Sequence, residues 1–317
     1  MIGEMTGDHA RAQRARIAIA FAAVYLLWGS TFLAMRFAVE TIPPFLMAGA
    51  RHVVAGALMM AWTWRRAAHR PSWREWRSAT VVGVLLLGAN GGVAWAEQRV
   101  PSGTAALLVA TVPLWMVLID WWRPRGTHPG VGVLAGLAIG LAGLLLLVGP
   151  AELTGHGGVD GLGALVLLAG SVSWAAGSII AQRAPHPSAP MLTTGMQLLT
   201  GGASLLVAAV IAGEPAHLSL AHVTFKSALG WGYLVVFGSL IGFTAYAYLL
   251  RTTTAAKVAT YAYVNPIVAV FLGWAMAGEP VTARTLASAA VIVAGVATIT
   301  VARRDQAPPV AEEAIGD

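Results

Sequence analysis

Ten runs of predominantly apolar residues fill almost the whole chain: 17–38, 44–63, 79–98, 103–122, 131–149, 161–182, 191–212, 228–250, 255–277 and 285–301. A bilayer core about 30 Å thick takes roughly 20 apolar residues per helical crossing, so each run has the length of one span. Inside lipid the backbone must satisfy its own hydrogen bonds, which leaves helices or a closed barrel. The runs do not alternate polar and apolar residues, and a barrel is thereby excluded. Composition agrees. Only 11% of the 317 residues are charged and 57% are hydrophobic, against about 25% charged in an average soluble domain. The chain reads as an all-α membrane protein with no room for a soluble domain of useful size.

The runs divide into two sets of five. Trp28, Pro44, Leu46, Gly49, Gly56 and Ala57 recur 146 positions later as Trp174, Pro190, Leu192, Gly195, Gly202 and Ala203. Ala94, Ala106, Pro113, Val117 and Trp121 recur 153 positions later as Ala247, Ala259, Pro266, Val270 and Trp274. An odd number of spans per copy turns the second copy upside down. The expected fold is therefore ten transmembrane helices in two inverted five-helix repeats, 17–149 and 161–302. The segment 150–160 joins them, and a polar, disordered cytoplasmic tail, 303–317, follows. Inverted repeats in a membrane point to a secondary transporter that handles its small-molecule substrate between the halves.

A pI near 10.2 and a net charge of +6 raise the question of nucleic acid. The distribution answers it. Arg11, Arg14, Arg16, Arg65, Arg66, Arg70, Arg74, Arg77, Arg123, Arg125, Arg183, Arg251, Lys257, Arg303 and Arg304 fall in loops or ends on one side; only Arg99, Lys226 and Arg284 fall on the other. Basic loops stay in the cytoplasm, so both termini are expected inside. The charge is a topology signal. The partners are lipid and a small molecule, not nucleic acid. The first run is too long for a signal-peptide core and lacks a cleavage site leading into a soluble chain. With no Cys, disulfides and thiolate chemistry are absent. There is no Walker loop, HExxH or GxSxG, and the glycines at 155–158 lack a strand–helix context, so no cofactor and no enzymatic activity are expected. Ser72–Arg77, with Trp73 and Trp76, has the pattern of a short interfacial helix. The small-residue stripe Gly132, Gly136, Gly140 and Gly143 serves either packing within the chain or a homodimer contact.

Candidate site residues are the polar and helix-breaking groups at mid-membrane depth. Proline removes a backbone donor and kinks a helix. Thr111 and Pro113 in one repeat answer to Asn265 and Pro266 in the other, and interrupted helices at corresponding positions point to a transporter's binding site. Trp28 and Trp174 lie mid-span, where an indole N–H needs a polar partner; Ser30, Thr31, Ser173 and Ser178 lie near them. Asn90, Tyr246 and Tyr248 add further polar positions. Arg36, Arg51, His52, Glu97 and Asp120 are the ionisable residues within spans, where each is a functional hypothesis because desolvation is costly. Arg36 and Glu97 are near span ends and can snorkel; Asp120 lies beside Trp121 and Trp122 at an interface. Arg51 and Glu97 are the plausible ion pair, either structural or a proton or substrate switch.

The strings WGSTF (28–32), PPFLMAGAR (43–51), VPSGTAALLVATVPL (100–114), SVSWAAGS (171–178), YAYVNPIVAVFLG (261–273) and GEP (278–280) resemble the EamA family of the drug/metabolite transporter superfamily, most like its YedA-type inner-membrane exporters. The resemblance spans about 17–302. It implies a central cavity between two repeats, peripheral fifth and tenth helices, and export of small metabolites, amino acids or toxic compounds. The small multidrug branch of the superfamily uses a carboxylate in its first helix, and 17–39 contains none. Two other activities are weighed: a facilitator or exchanger of anionic, nucleotide-like metabolites, with Lys257 meeting the anion, and a lipid-acting membrane enzyme, for which no catalytic cluster is present.

Overall fold

The computed structural model describes residues 2–64, 70–123, 128–148, 160–182, 184–187, 189–253 and 261–305, and every regular element among them is a helix. Lys257, Arg183, the glycines at 155–158 and the tail beyond 305 lie outside the described residues. Eight helical stretches are long and apolar enough to cross a membrane, and two shorter apolar helices, Val131–Leu147 and Val264–Ala277, accompany them. Outward faces carry large apolar side chains: Val131, Ile211 and Phe225 are each more than 80% exposed. Such a surface is built for contact with hydrocarbon rather than water.

In the first half, α1 (Ile2–Ala23) passes through a π-helical segment, Val24–Trp28, into α2 (Gly29–Ala38). Then follow α3 (Pro44–Trp64), α4 (Trp73–Ala96), α5 (Ser102–Val109), α6 (Val112–Trp122) and α7 (Val131–Val148). In the second half, α8 (Gly161–Ala181), α9 (Pro190–Ile211) and the short α10 (Glu214–His217) precede α11 (Phe225–Tyr233). A second π-helical segment, Leu234–Ile241, leads into α12 (Gly242–Thr252), and α13 (Tyr261–Ala277) and α14 (Ala283–Asp305) complete the chain. Helix α14 runs three residues past the expected boundary at 302.

Two local expectations change. Ser72–Arg77 is not a separate interfacial helix but the start of α4. Ser72 accepts from the Glu75 N–H at 3.3 Å, and Glu75 accepts from the Ser72 N–H at 2.6 Å. This reciprocal cap starts the helix at Trp73, and the S-x-x-E spacing that builds it is visible in the sequence. The two proline sites also differ. A turn at Ala110 and Thr111 separates α5 from α6, with Pro113 in the first turn of α6, where a missing N–H costs little. Pro266 instead lies inside a continuous α13.

Glycine sets the closest helix contacts. A Cβ on Gly56 would meet Leu199 N at 2.6 Å and Gly195 O at 2.8 Å; one on Gly202 would meet Val53 N at 2.8 Å and Gly49 O at 3.0 Å. The repeat-related glycines of α3 and α9 thus lie against each other, Gly49 by Gly202 and Gly56 by Gly195, and the helices run antiparallel. On α7, Gly136 abuts Gly295 O and Gly143 abuts Ile292 N, each at 2.8 Å from a Cβ position, while Gly132 meets Ala302. The stripe thus packs within the chain, Gly132, Gly136 and Gly143 against α14 and Gly140 against Leu114 of α6.

At one end of the bundle, charged side chains bond to helix ends. Gly213 and Gly278 adopt φ of 74° and 64°, a conformation open to glycine. Each turns the chain so that the following glutamate reaches the other half. Glu214 accepts from the N–H groups of Phe45 (3.1 Å) and Leu46 (2.8 Å) at the start of α3. Glu279 accepts from those of Ser102 (2.7 Å) and Gly103 (3.1 Å) at the start of α5. Anions at N-termini and cations at C-termini suit the helix dipole: Arg36 donates to the Glu97 carbonyl at the end of α4, and Arg284 to Leu147 O at the end of α7, the latter at 2.9 Å.

Candidate substrate-binding cavity

Both halves contribute to a cavity enclosing about 920 Å³ of empty space, including its opening to solvent. From the first half come Trp28, Thr31, Phe32, Met35, Arg51, Asn90 and the α5–α6 turn; from the second, Ser171, Trp174, Ser239, Phe243, Tyr261, Asn265 and Pro266. Its mostly apolar wall with a few polar groups has the usual character of a small-molecule site.

The two π-helical segments shape this space. A π turn widens the helix and disturbs its hydrogen-bond ladder, and such segments recur at functional sites. Here each has a polar side chain from across the cavity bonded to it. Trp28 Nε1 donates to Gly238 O at 3.1 Å, which answers the demand of an indole at mid-membrane. With its amide oriented to form hydrogen bonds, Asn265 donates to Tyr25 O at 3.1 Å and to Tyr261 O at 3.2 Å. Gly242 has to be glycine-small, since a Cβ there would run into the Trp28 indole. Around Trp28 the rings of Phe243, Tyr246 and Tyr261 have centroids at 5.4, 5.1 and 5.3 Å.

Of the residues singled out in the sequence, Trp28, Thr31, Asn90, Trp174, Asn265, Pro266 and Arg51 line this cavity. Ser30, Thr111, Pro113, Tyr246 and Glu97 do not. Ser30 Oγ donates to Leu27 O (2.9 Å) and lies 2.6 Å from the Tyr233 hydroxyl. Thr111 is fully buried; its hydroxyl donates to Leu108 O at 2.6 Å and accepts from Trp115 Nε1 at 3.1 Å. Tyr246 stands behind Trp28 as part of the aromatic cluster. Ser173 donates to Leu85 O across to α4, and Ser178 to Trp174 O within α8, both at 2.8 Å. Phe32 and Met35 were not singled out, although they share the face of Trp28 at i+4 and i+7. Phe243 and Tyr261 were visible only as aromatics of the second half.

Arg51 and Glu97 make no direct ion pair. Arg51 is 3% exposed, and its Nη2 donates to Asn90 Oδ1. Glu97 is fully buried, and neither carboxylate oxygen has a hydrogen-bond partner among the described residues. Helical rise explains the separation. Asn90 is the α4 residue level with Arg51, whereas Glu97 caps α4 seven residues on, about 10 Å further along the axis. Asp120 pairs with Arg123 at 2.5 Å near the end of α6.

The EamA-like transporter family matches residues 15–149 and again residues 161–301. The chain is 39% identical over 283 residues to the inner membrane transporter YedA of Escherichia coli K12, covering 89% of each protein. It is 26% identical over 301 residues to the transporter YvbV of Bacillus subtilis, across 90% of this chain and 92% of that one. Over 278 residues it is 25% identical to a chloroplastic WAT1-related protein of Arabidopsis thaliana, across 86% of this chain and 66% of that one. A solved crystal structure shares the fold, with a TM-score of 0.63 at 22% identity over 92% of this chain and 99% of its own. With both halves matched and a 39% identical relative aligned over most of its length, the protein belongs to the EamA-like transporter family.

Proposed function

We propose that the protein is a secondary transporter of the bacterial inner membrane that exports small metabolites, amino acids or toxic compounds by alternating access. Ten spans form two inverted repeats, 17–149 and 161–302, with both termini in the cytoplasm and the substrate bound in the cavity between them. The carrying observation is that Trp28 and Trp174, equivalent in the repeat, line one cavity from opposite halves. The antiparallel pairing of Gly49 with Gly202 and Gly56 with Gly195 supports the inverted arrangement. Exchanging the two repeats maps each glycine pair onto the other, as a two-fold axis in the membrane plane requires. The π-helical segments and the α5–α6 turn each contribute residues to the cavity wall, where a membrane tolerates irregular backbone.

Counterflow in proteoliposomes with a panel of amino acids, nucleosides and aromatic cations tests this reading. The wild type is expected to exchange at least one class. Trp28→Ala and Trp174→Ala are each expected to slow that exchange while the protein stays folded in the membrane. Wild-type exchange in both variants would remove the cavity from the transport path.

A further inference from the structure

A guanidinium in the interior of a membrane protein needs a counter-charge or a full set of acceptors, because taking it out of water costs several kcal/mol. Arg51 has neither a bonded counter-charge nor a full set of acceptors among the described residues. Asn90 Oδ1 takes one donor, Nε is buried with no partner, and no carboxylate is bonded to it. Glu97 acts on it only through space. Arg51 is also the one charged residue among the described residues that line the cavity. The repeat-equivalent position holds the neutral Gln197, so the charge is not needed to build the repeat.

We propose that Arg51 is the recognition cation of the cavity, and that the transported class is a small organic monoanion with a planar apolar body. This rests on the cavity being the transport site. A carboxylate meets a guanidinium edge through two parallel N–H···O bonds, and Arg51, with only Asn90 bonded at Nη2 and no partner at Nε, keeps donors free for such a contact. Asn90 is a positioning residue: by holding Nη2 it fixes the plane of the fork. The body of the ligand packs against Trp28, Trp174, Tyr261 and Phe243, whose rings favour offset or edge contacts with a flat partner. Selectivity follows from what the wall lacks. No Asp or Glu is among the described lining residues, so an ammonium group finds no countercharge there, and a neutral amide leaves the guanidinium uncompensated.

The test uses the full-length protein in nanodiscs at pH 7.5 and three probes of matched shape. Radiolabelled 3-phenylpropionate is displaced by unlabelled 3-phenylpropionate, by 3-phenylpropionamide or by 3-phenylpropylamine. In the wild type the amide and the amine are expected to need at least about ten-fold higher concentration than the acid, the scale of one charge-assisted bidentate contact. Arg51→Gln is expected to remove that preference, Arg51→Lys to keep part of it, and Asn90→Ala to weaken acid binding. Equal displacement by acid and amide in the wild type, absence of specific acid binding, or an Arg51→Gln protein that still prefers the acid each overturn the assignment. The wild-type ratio needs no variant to fold. If charge selectivity fails while counterflow still depends on Trp28 and Trp174, the anion assignment falls and the transport reading stands. If counterflow is indifferent to both tryptophans, the transport reading itself falls.

Discussion

Two glutamates at the same end of the bundle make opposite predictions when neutralised. Glu279 has both carboxylate oxygens engaged, with the N–H groups of Ser102 at 2.7 Å and Gly103 at 3.1 Å. Glu97, within electrostatic reach of it, has neither oxygen bonded. In Glu279→Gln the amide keeps one acceptor and turns an NH₂ toward the other backbone N–H. One hydrogen bond to a charged group, about 1.5–3 kcal/mol, is lost, and a buried N–H at the start of α5 goes unmet at about 1–3 kcal/mol. Because Glu279 is only partly buried, about 2–4 kcal/mol in total is the reasonable scale. In Glu97→Gln there is no bond to lose. Relief from burying a carboxylate and from repulsion by Glu279 is set against lost attraction to Arg36 and Arg51, and no net destabilisation beyond about 1 kcal/mol is expected. Thermal melting of the purified proteins in one detergent, followed by size-exclusion fluorescence, gives the ranking. Glu279→Gln should melt several degrees below the wild type, and Glu97→Gln close to it. Coincident melts of Glu279→Gln and wild type, or a Glu97→Gln protein that loses as much as Glu279→Gln, would refute the reasoning from hydrogen-bond occupancy.

Gly56→Val should abolish accumulation of folded protein, since the new Cβ would sit 2.6 Å from the Leu199 backbone nitrogen and overpacking against backbone costs about 1–3 kcal/mol or more. Gly88→Val, at a position where a Cβ meets nothing within 4 Å, should leave expression near wild type. Membrane yield of the two variants checks the pair, and equal yields would refute the close-contact account. Glu214→Gln should lower the melting temperature like Glu279→Gln, because its fork on Phe45 and Leu46 is of the same kind; a wild-type melt would refute it. A C-terminal reporter active only in the cytoplasm should be functional and one active only outside silent, by the bias of basic loops; the reverse pattern would refute the orientation.

Helices were legible because lipid imposes a length and a composition, and both are written in every run. Their interruptions were legible only in part. Proline marks a missing donor, so Pro113 could be read, but nothing in the pattern separates a broken helix from the continuous one through Pro266. The π-helical segments carry no residue signature. Val24–Trp28 and Leu234–Ile241 are ordinary apolar stretches, and what holds them open is long-range: Trp28 on Gly238 and Asn265 on Tyr25. The Gly-Glu-Pro string at 278–280 was noticed as a family feature. Its twin at 213–215 shows the physical sense of both, a left-handed turn that aims a carboxylate at a helix start in the other half. Arg51 reads from its position in the run as a deep charge whose natural partner is a carboxylate; in the structure it is buried and bonds to Asn90. Charge pairing is the obvious rule, and depth along α4 overrides it, bringing Asn90 level with the arginine and leaving Glu97 about two turns away.

The glycines of α3 and α9 show how a repeat in sequence becomes a constraint in space. Gly49, Gly56, Gly195 and Gly202 were visible as two equivalent pairs, which says that the copies share a need and not what the need is. In the structure each glycine of one copy faces the other glycine of its counterpart. Such a contact is self-complementary: one short motif, present in both halves and packed antiparallel, supplies both surfaces of its own interface, as in a two-fold dimer. Small residues let the backbones approach where hydrophobicity gives helices no reason to prefer one another over lipid. A substitution in one copy therefore meets the unchanged surface of the other, and compensation requires a change in both. That coupling sits on the seam between the halves. At the cavity the copies agree at Trp28 and Trp174 but differ at Arg51, whose equivalent is Gln197. Symmetry is retained where the halves must fit each other, and it is broken at the residue proposed to meet the substrate.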